Sequence, residues 1–221
     1  MQHFGYYIFD LDGTLTDSSF AIGNGVVRAL EQMGIAGVPL EDVRRWIGRP
    51  LSDIWTGYAE ERGMRFNFSE AYLMELAGHY RQGHDEHFPA GVVIYPGVVE
   101  TLQALRTSGA GLAVATTKWE EAAKWVTDGV GLTSLVDAVC GTDPGKPVKP
   151  DPYVIEYAIE RISADPARTA VIGDTADDVA AGHAAGCTTI AVDYGFGDLD
   201  LIEQAGPDAV ISELRELIAH D

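Results

Sequence analysis

Short apolar segments alternate with amphipathic helical patterns from Pro96 to Ile211, and this alternation limits the possible folds more than any other feature. The predicted strands are rich in Val, Ile and Ala: Gly5–Leu11, Leu112–Thr116, Val136–Cys140, Thr169–Gly173, Thr188–Val192 and Ala209–Ile211. Helices are predicted between them, one through Val98, Leu102 and Leu105 and others at Asp151–Ile162 and Asp177–Ala185. Strands joined through helices pair in parallel and are covered on both faces. The sequence therefore predicts an α/β fold with a Rossmann-like, doubly wound parallel sheet.

The interval from Ser18 to Phe88 interrupts this alternation, because it contains no convincing strand. Helices are predicted along an apolar stripe from Ile22 to Met33, and around Pro39–Trp46, Ser52–Arg62 and Ser69–His79. Three histidines, His79, His84 and His87, crowd its end; their spacing fits no closed zinc site, so we expect an exposed segment. The predicted organisation is a core domain of residues 1–17 and 89–221, with an inserted α-helical domain of residues 18–88.

Composition and charge predict a folded protein and exclude two classes of partner. The chain has 221 residues, of which 46% are hydrophobic, so it can bury a large core. Its 34 acidic and 15 basic residues give a formal charge of −19, which repels nucleic acid and anionic membrane surfaces. If the substrate is an anion, a local cation must overcome this field.

Cysteine usage and hydropathy favour a cytoplasmic location. Cys140 and Cys187 lie in apolar sequence near predicted strands, so we expect buried, reduced side chains, although one disulfide is possible. We find no secretion signal before the first strand and no apolar stretch that approaches membrane-spanning length.

Chemically reactive residues follow the predicted strands at the edge where open parallel sheets bind ligands. Asp10 and Asp12 end the first strand, Thr116 and Thr117 end the second, and Asp174 ends the fourth. Lys149 precedes the helix that leads into that fourth strand. Four separate segments therefore bring reactive groups to one edge of the sheet.

These residue types suit phosphoryl chemistry when they are taken together. Two nearby carboxylates repel, so one is easily kept protonated, which suits a nucleophile beside a general acid–base. Asp10 and Asp174 could hold Mg²⁺ between them, Lys149 would add a second positive charge, and Thr116 would donate a hydrogen bond to a phosphoryl oxygen.

Each of these residues also has a purely structural explanation. Asp-x-Asp-Gly often makes a turn, Thr116 suits a strand, Lys149 suits an exposed loop, and Asp174 could cap the following helix. The conjunction of these residues in this order favours the functional interpretation.

Four segments resemble the signature motifs of the haloacid dehalogenase-like hydrolases. They are DLDGT (Asp10–Thr14), AVATT (Ala113–Thr117), KPDP (Lys149–Pro152) and GDTADD (Gly173–Asp178). The resemblance implies that Asp10 is a nucleophile that forms an aspartyl-phosphate, and that Asp12 protonates the leaving group and then activates water. It implies that Thr116 and Lys149 bind the phosphoryl group, and that Asp10, Asp174 and the backbone oxygen of Asp12 hold Mg²⁺. Asp178 would be a supporting acid.

The inserted helices resemble the cap of this family's first subclass, which closes over the site and selects the substrate. The segment IGRPLSDIW (Ile47–Trp55) resembles a segment of phosphoglycolate phosphatase-like members. Its Arg49 could reach an anionic leaving group, or it could be an exposed surface arginine. Thr117, a further candidate phosphate contact, stands where those phosphatases commonly have Asn. Lys118 could contact the substrate or lie on the rim of the site, and we expect the rim.

The expected function is therefore Mg²⁺-dependent hydrolysis of a small phosphorylated metabolite, with phosphoglycolate as the leading substrate. The alternatives are a 5′-nucleotidase, a pyrophosphatase, a sugar-phosphate mutase, and a non-catalytic protein that binds phosphorylated ligands. The sequence leaves open whether the protein is a monomer or a homodimer.

Overall fold

The computed structural model describes residues 3–218, and the chain divides into two compact units. One unit comprises Met1–Asp17 and Ile94–Asp221, and the other comprises Ser18–Val93. The return to the first unit thus lies after Val93, whereas the sequence analysis placed it after Phe88. No helix in the described range is long and apolar enough to cross a membrane.

Six parallel strands form the sheet of the first unit. They are β1 (Tyr6–Phe9), β4 (Gly111–Ala115), β5 (Ala138–Cys140), β6 (Thr169–Gly173), β7 (Thr188–Val192) and β8 (Ala209–Ile211), and their order across the sheet is β5-β4-β1-β6-β7-β8. The chain winds from β1 through β4 and β5 in one direction and then through β6, β7 and β8 in the other. The carboxyl ends of β1 and β6 are therefore a topological switch point, where such sheets bind ligands. Two short strands, β2 (Thr16–Asp17) and β3 (Val93–Ile94), form a separate sheet.

Helices cover both faces of the parallel sheet, so the predicted fold class is confirmed. The helices of this unit are α5 (Val98–Thr107), α6 (Glu120–Gly129), α7 (Tyr153–Ile162), α8 (Ala176–Ala184) and α9 (Leu199–Ala205), with 3-10 turns at Thr133–Leu135, Pro166–Arg168 and Leu214–Leu217. Adjacent residues of β4, such as Leu112 and Ala113, point to opposite faces and are both buried. Cys140 and Cys187 are free thiols packed in one apolar cluster, as expected.

The second unit is helical. Its helices are α1 (Ser19–Gln32), α2 (Leu40–Arg44), α3 (Leu51–Glu61) and α4 (Glu70–His87). The main contact is between α1 and α4. A Cβ on Gly25 would lie 2.7 Å from the carbonyl oxygen of Tyr80, and one on Gly83 would lie 2.7 Å from that of Asn24. Glycine at these two positions therefore lets the two helix backbones approach closely.

The last helix of this unit is longer than the sequence analysis predicted. It continues through Gly83 to His87, and His84 is only 5% exposed, so the expectation of an exposed segment was wrong. The pattern was misleading because the last turns of α4 contain polar histidines and a glycine, which usually weaken helices. Packing of α4 against α1 compensates for this weak local preference.

Candidate active site

The first strand ends in a tight turn that carries two aspartates. Asp10 follows β1 directly, and its backbone N–H donates to the carbonyl of Ile172 on β6 at 2.8 Å. Gly13 has a φ angle of 103°, a left-handed conformation that favours glycine. Asp10 and Asp12 are each 9% exposed, so the turn holds both residues largely out of water.

A buried lysine joins three segments of the core unit. The ammonium group of Lys149 donates to Oδ1 of Asp10 at 2.8 Å, to the carbonyl of Ala115 at 2.7 Å and to Oδ1 of Asp178 at 2.6 Å. Burial lowers the pKa of Lys149, but the charges of Asp10 and Asp178 outweigh burial and raise the pKa above its ordinary value. Because its three donors are all engaged, Lys149 is a fixed cation beside Asp10.

Asp178 holds this lysine from the first turn of α8. Its Oδ1 contacts Lys149, while its Oδ2 accepts the backbone N–H of Thr175 at 3.0 Å and the Thr175 hydroxyl at 2.6 Å. Thr175 in turn accepts the N–H of Asp178 at 3.2 Å, which completes a capping box. The N-cap residue of α8 is therefore Thr175, and Asp174 does not serve as the cap.

Asp174 lies at the end of β6, beside Asp10 at the end of β1. Its Oδ1 accepts the Thr14 hydroxyl at 3.2 Å, and its Oδ2 accepts the Phe196 N–H at 2.8 Å. Burial first, and then the charge of Asp178, raise the pKa of Asp174 to about 7, although both hydrogen bonds oppose that rise. A cation near Asp174 would favour its ionised form.

The pKa of Asp10 is raised, like that of Asp174. Burial raises the pKa of Asp10 well above its usual range, Lys149 opposes this rise, and Asp178 and Asp174 add to it. The acids that add most to the rise therefore come from α8 and from the end of β6.

The side chain of Asp12 forms an ion pair with Lys118. The ammonium nitrogen of Lys118 lies 3.1 Å from Oδ2 of Asp12, and the two side chains are only 12% and 10% exposed. This burial does not fit the expected rim position of Lys118, whereas its contact with substrate stays a prediction. Sequence reasoning missed this ion pair because Lys118 lies in the loop after β4, where the motif does not fix the direction of the side chain.

The second motif begins where β4 ends. Thr116 is 2% exposed, its N–H donates to the carbonyl of Cys140 at 3.1 Å, and its hydroxyl accepts the N–H of Lys118 at 3.3 Å. Thr142, which follows β5, donates its hydroxyl to the carbonyl of Thr116 at 3.1 Å and its N–H to that of Lys118 at 2.9 Å. Thr142 thus supports the turn that contains Thr117. The sequence analysis overlooked it, although its place two residues after a strand at the same edge was the available signal.

The sequence of this chain matches a protein-family model. The model described as haloacid dehalogenase-like hydrolase matches residues 7–192, which include all four motifs. The chain belongs to the haloacid dehalogenase-like hydrolases. The resemblance predicted from the sequence is therefore confirmed.

Relatives of this hydrolase match it over nearly their whole length. Phosphoglycolate phosphatase from Aliivibrio fischeri is 30% identical over 215 residues, which cover 96% of this chain and 93% of the relative. Pyrophosphatase PpaX from Halalkalibacterium halodurans is 30% identical over 211 residues, which cover 96% and 94%. A solved structure described as a predicted phosphoglycolate phosphatase from Haemophilus somnus has a TM-score of 0.87 and 25% identity, and the match covers 99% of this chain and 98% of that one.

One candidate site residue of this hydrolase lies in the helical unit. Arg49 is exposed between α2 and α3, with its guanidinium carbon 5.2 Å from the centroid of the Trp46 ring. Arg45 lies over the same ring at 5.5 Å. The core unit brings the remaining candidates to one edge of the sheet, whereas substrate contact by Arg49 stays a prediction, as does phosphate contact by Thr117.

The acidic residues of the hydrolase core suit a divalent cation. The charged groups at this edge are the carboxylates of Asp10, Asp12, Asp174 and Asp178 and the ammonium groups of Lys118 and Lys149. Four carboxylates against two ammonium groups leave two negative charges uncompensated when all are ionised. Carboxylate and carbonyl oxygens are the ligands that Mg²⁺ prefers. No cluster of three metal-ligating His, Cys, Asp or Glu side chains occurs within residues 3–218, and the predicted set needs only two carboxylates with a backbone oxygen.

Proposed function

We propose that this protein is a Mg²⁺-dependent phosphatase that hydrolyses a small phosphate monoester through an aspartyl-phosphate on Asp10. The observation that carries the proposal is the fixed contact of Lys149 with Asp10 at the switch point of the sheet. A carboxylate can attack an anionic phosphoryl group only when nearby positive charge cancels their repulsion. Lys149 supplies one such charge, and even with Asp12 protonated the carboxylates of Asp10, Asp174 and Asp178 outnumber the two ammonium groups, which favours a bound dication.

The first step transfers the phosphoryl group to Asp10. Lys149 occupies Oδ1, and no hydrogen bond to Oδ2 of Asp10 is found within the described part of the chain, so Oδ2 is the attacking oxygen. A bond forms between Oδ2 and phosphorus, and the bond from phosphorus to the leaving oxygen breaks. Asp12 donates its proton to that oxygen and becomes a carboxylate, which Lys118 stabilises at 3.1 Å.

The second step returns Asp10 to its starting state. The Asp12 carboxylate takes a proton from water, and the oxygen of that water bonds to phosphorus. The bond between phosphorus and Oδ2 of Asp10 breaks, inorganic phosphate leaves, and Asp12 again carries the proton for the next cycle. The Thr116 hydroxyl is the proposed donor to a phosphoryl oxygen in both steps.

Asp10, Asp174 and the backbone oxygen of Asp12 are the groups that we expect to hold Mg²⁺. When bound there, Mg²⁺ would neutralise charge on the phosphoryl oxygens. The hydrogen bonds of Asp174 to Thr14 and Phe196 fix the orientation of this carboxylate.

Phosphoglycolate is the substrate that we favour, and pyrophosphate is the second candidate. The name of the Aliivibrio fischeri relative and the phosphoglycolate phosphatase-like segment around Arg49 support the first. The name of the Halalkalibacterium halodurans relative supports the second, at the same sequence identity. The test is kcat/KM for phosphoglycolate, pyrophosphate, nucleoside monophosphates and sugar phosphates. A preference of at least tenfold for any other compound would contradict the phosphoglycolate assignment.

The reaction class is tested with p-nitrophenyl phosphate in Mg²⁺ and in EDTA. We expect turnover only with Mg²⁺, and a loss of at least about a thousandfold in Asp10→Asn, which removes the nucleophile but keeps its shape. Asp128→Asn, on the exposed end of α6, is the matched control and should retain activity. Turnover by Asp10→Asn would refute the nucleophile, and inactivity of the folded wild-type protein would favour a phosphate-binding protein.

A further inference from the structure

The loop after β7 packs directly against Asp174. Within this loop, the backbone N–H of Phe196 donates to Oδ2 of Asp174 at 2.8 Å. A Cβ on Gly195 would lie 2.2 Å from the Cβ of Asp174, and one on Gly197 would lie 1.9 Å from the Asp174 carbonyl oxygen. No other residue type fits at these two positions without displacing the loop or Asp174. Close packing against Asp174 therefore explains the two glycines of this loop.

The same loop also reaches the second donor to Asp174. The hydroxyl of Tyr194 donates to the carbonyl of Thr14 at 2.9 Å, and the Thr14 hydroxyl donates to Oδ1 of Asp174 at 3.2 Å. The Tyr194 ring packs on Tyr95, with centroids 4.8 Å apart. One oxygen of Asp174 is therefore fixed by the loop itself, and the other is fixed through a residue that the loop holds.

Both ends of the loop are anchored to regular structure. The N–H of Asp193 donates to the carbonyl of Ile211 at 3.1 Å, and the hydroxyl of Ser212 donates to the Asp193 carboxylate at 2.6 Å. At the other end, the Asp198 carboxylate accepts the N–H groups of the first turn of α9. The loop is therefore held between β8 and α9 while it contacts Asp174.

We propose that residues 194–197 are a positioning segment, which sets the orientation of the Asp174 carboxylate for the divalent cation. This inference rests on the proposed function, in which Asp174 is a metal ligand. Neighbours that fix a ligating carboxylate commonly change metal affinity by tenfold to a hundredfold when they are altered. Tyr194, Gly195 and Gly197 thus act on the cation through Asp174, without contacting it.

The test is calorimetric titration of the full-length protein with MgCl₂ in the absence of substrate. Gly195→Ala should raise the Kd for Mg²⁺ at least about tenfold, because the new Cβ displaces the loop from Asp174. Tyr194→Phe removes only the hydroxyl that holds Thr14 and should raise the Kd about threefold. The matched controls are Gly78→Ala, where a Cβ meets nothing within 4 Å, and Tyr72→Phe in the helical unit. Both controls should bind Mg²⁺ within about twofold of wild type.

Kinetics separate positioning from a general structural defect. At saturating Mg²⁺ both loop variants should recover most of the wild-type rate, whereas simple misfolding would lower the rate at every Mg²⁺ concentration. A folded Gly195→Ala variant with wild-type Kd would overturn the inference. If that variant does not fold, an unchanged Kd in Tyr194→Phe would overturn it instead. Absence of Mg²⁺ binding in wild type, with Asp174→Asn behaving the same, would reject the metal site itself.

Discussion

At the scale of single residues, the stability and the chemistry of the site depend on the same buried lysine. Lys149 donates to two carboxylates and one carbonyl, and its side chain is 3% exposed. A buried charge that loses one of its partners costs several kcal/mol, because the remaining charges are then uncompensated. Asp178 is the partner that anchors Lys149 without being the predicted nucleophile.

Asp178→Ala should destabilise the protein by about 3 kcal/mol or more, because it leaves Lys149 with one carboxylate and removes a capping interaction of α8. Urea unfolding followed by circular dichroism would measure this change. Asp128→Ala, an exposed Asp→Ala substitution, is the control and should change the free energy of unfolding by less than about 0.5 kcal/mol. Equal stability of the two variants would contradict the view of Asp178 as the anchor of Lys149.

At the scale of secondary-structure elements, glycines set how closely α1 and α4 approach. Gly83 lies against the backbone of Asn24 and Gly25, whereas Gly78 of the same helix has open space around it. On the exposed side of the same contact, one guanidinium nitrogen of Arg28 donates to both carboxylate oxygens of Glu86, at 2.8 and 2.9 Å. The two glycines therefore have opposite roles within one helix.

Gly83→Ala should destabilise the protein by about 2 kcal/mol, because the new methyl group overlaps the backbone of α1. Gly78→Ala should stabilise it by about 0.5–1 kcal/mol, since alanine favours the helix and nothing obstructs the methyl group. Thermal unfolding of both variants beside wild type provides the measurement. If the two substitutions shifted Tm in the same direction, the proposed helix contact would be wrong.

Asp208 links β7, β8 and α8. Its carboxylate accepts the Thr189 N–H at 2.8 Å and lies 3.3 Å from Nε2 of His183. The Thr189 N–H is the main reason that the pKa of Asp208 is lowered, and the His183 hydrogen bond adds to the effect. A lowered pKa in the folded state means that this stabilisation is present above the unfolded pKa of about 3.9 and is lost as the pH falls through the folded value.

Asp208→Asn should therefore cost about 1 kcal/mol at pH 7, a modest figure because the side chain is half exposed. The difference from wild type should shrink as the pH falls towards 3, because protonation of the unfolded state then offsets the stabilisation by the ionised folded form. Urea unfolding at pH 7 and pH 3 tests this. A difference that is the same at both pH values would show that the charge of Asp208 does not contribute.

The strands and motif positions were predictable, whereas the side-chain partners were not. Periodicity located β6, β7 and β8 at their observed bounds, because buried parallel strands are continuous apolar segments. The ion pair of Lys118 with Asp12 and the contact of Phe196 with Asp174 join segments far apart in the chain. No local pattern encodes such pairs, since they depend on loop paths that tertiary packing decides.

At the scale of the whole molecule, the acidic surface opposes folding. The formal charge of −19 repels itself, while most ion pairs of the described residues are exposed and contribute little. The range of this repulsion falls from about 30 Å at 0.01 M salt to about 10 Å at 0.1 M. Added salt should therefore weaken this repulsion and stabilise the folded state.

Raising NaCl from 0.01 to 0.5 M should increase Tm by about 2–4 °C, which corresponds to about 1 kcal/mol for a protein of this size. Differential scanning calorimetry in EDTA measures this without bound divalent metal. Tetramethylammonium chloride at equal ionic strength is the control, because its cation is too large for a carboxylate site. A rise with Na⁺ alone would indicate specific ion binding in place of screening.

Because β1 lies in the middle of the sheet, the turn that follows it should stay folded when the outer strands open. Strands β5 and β8 are the outer members of the sheet, so thermal fraying begins there, whereas β1 is hydrogen-bonded on both sides. Amide protons of Tyr7 and Ile8 should thus exchange only when the entire unit opens. Asp10, which follows these two residues, should therefore keep its backbone position until the unit as a whole opens.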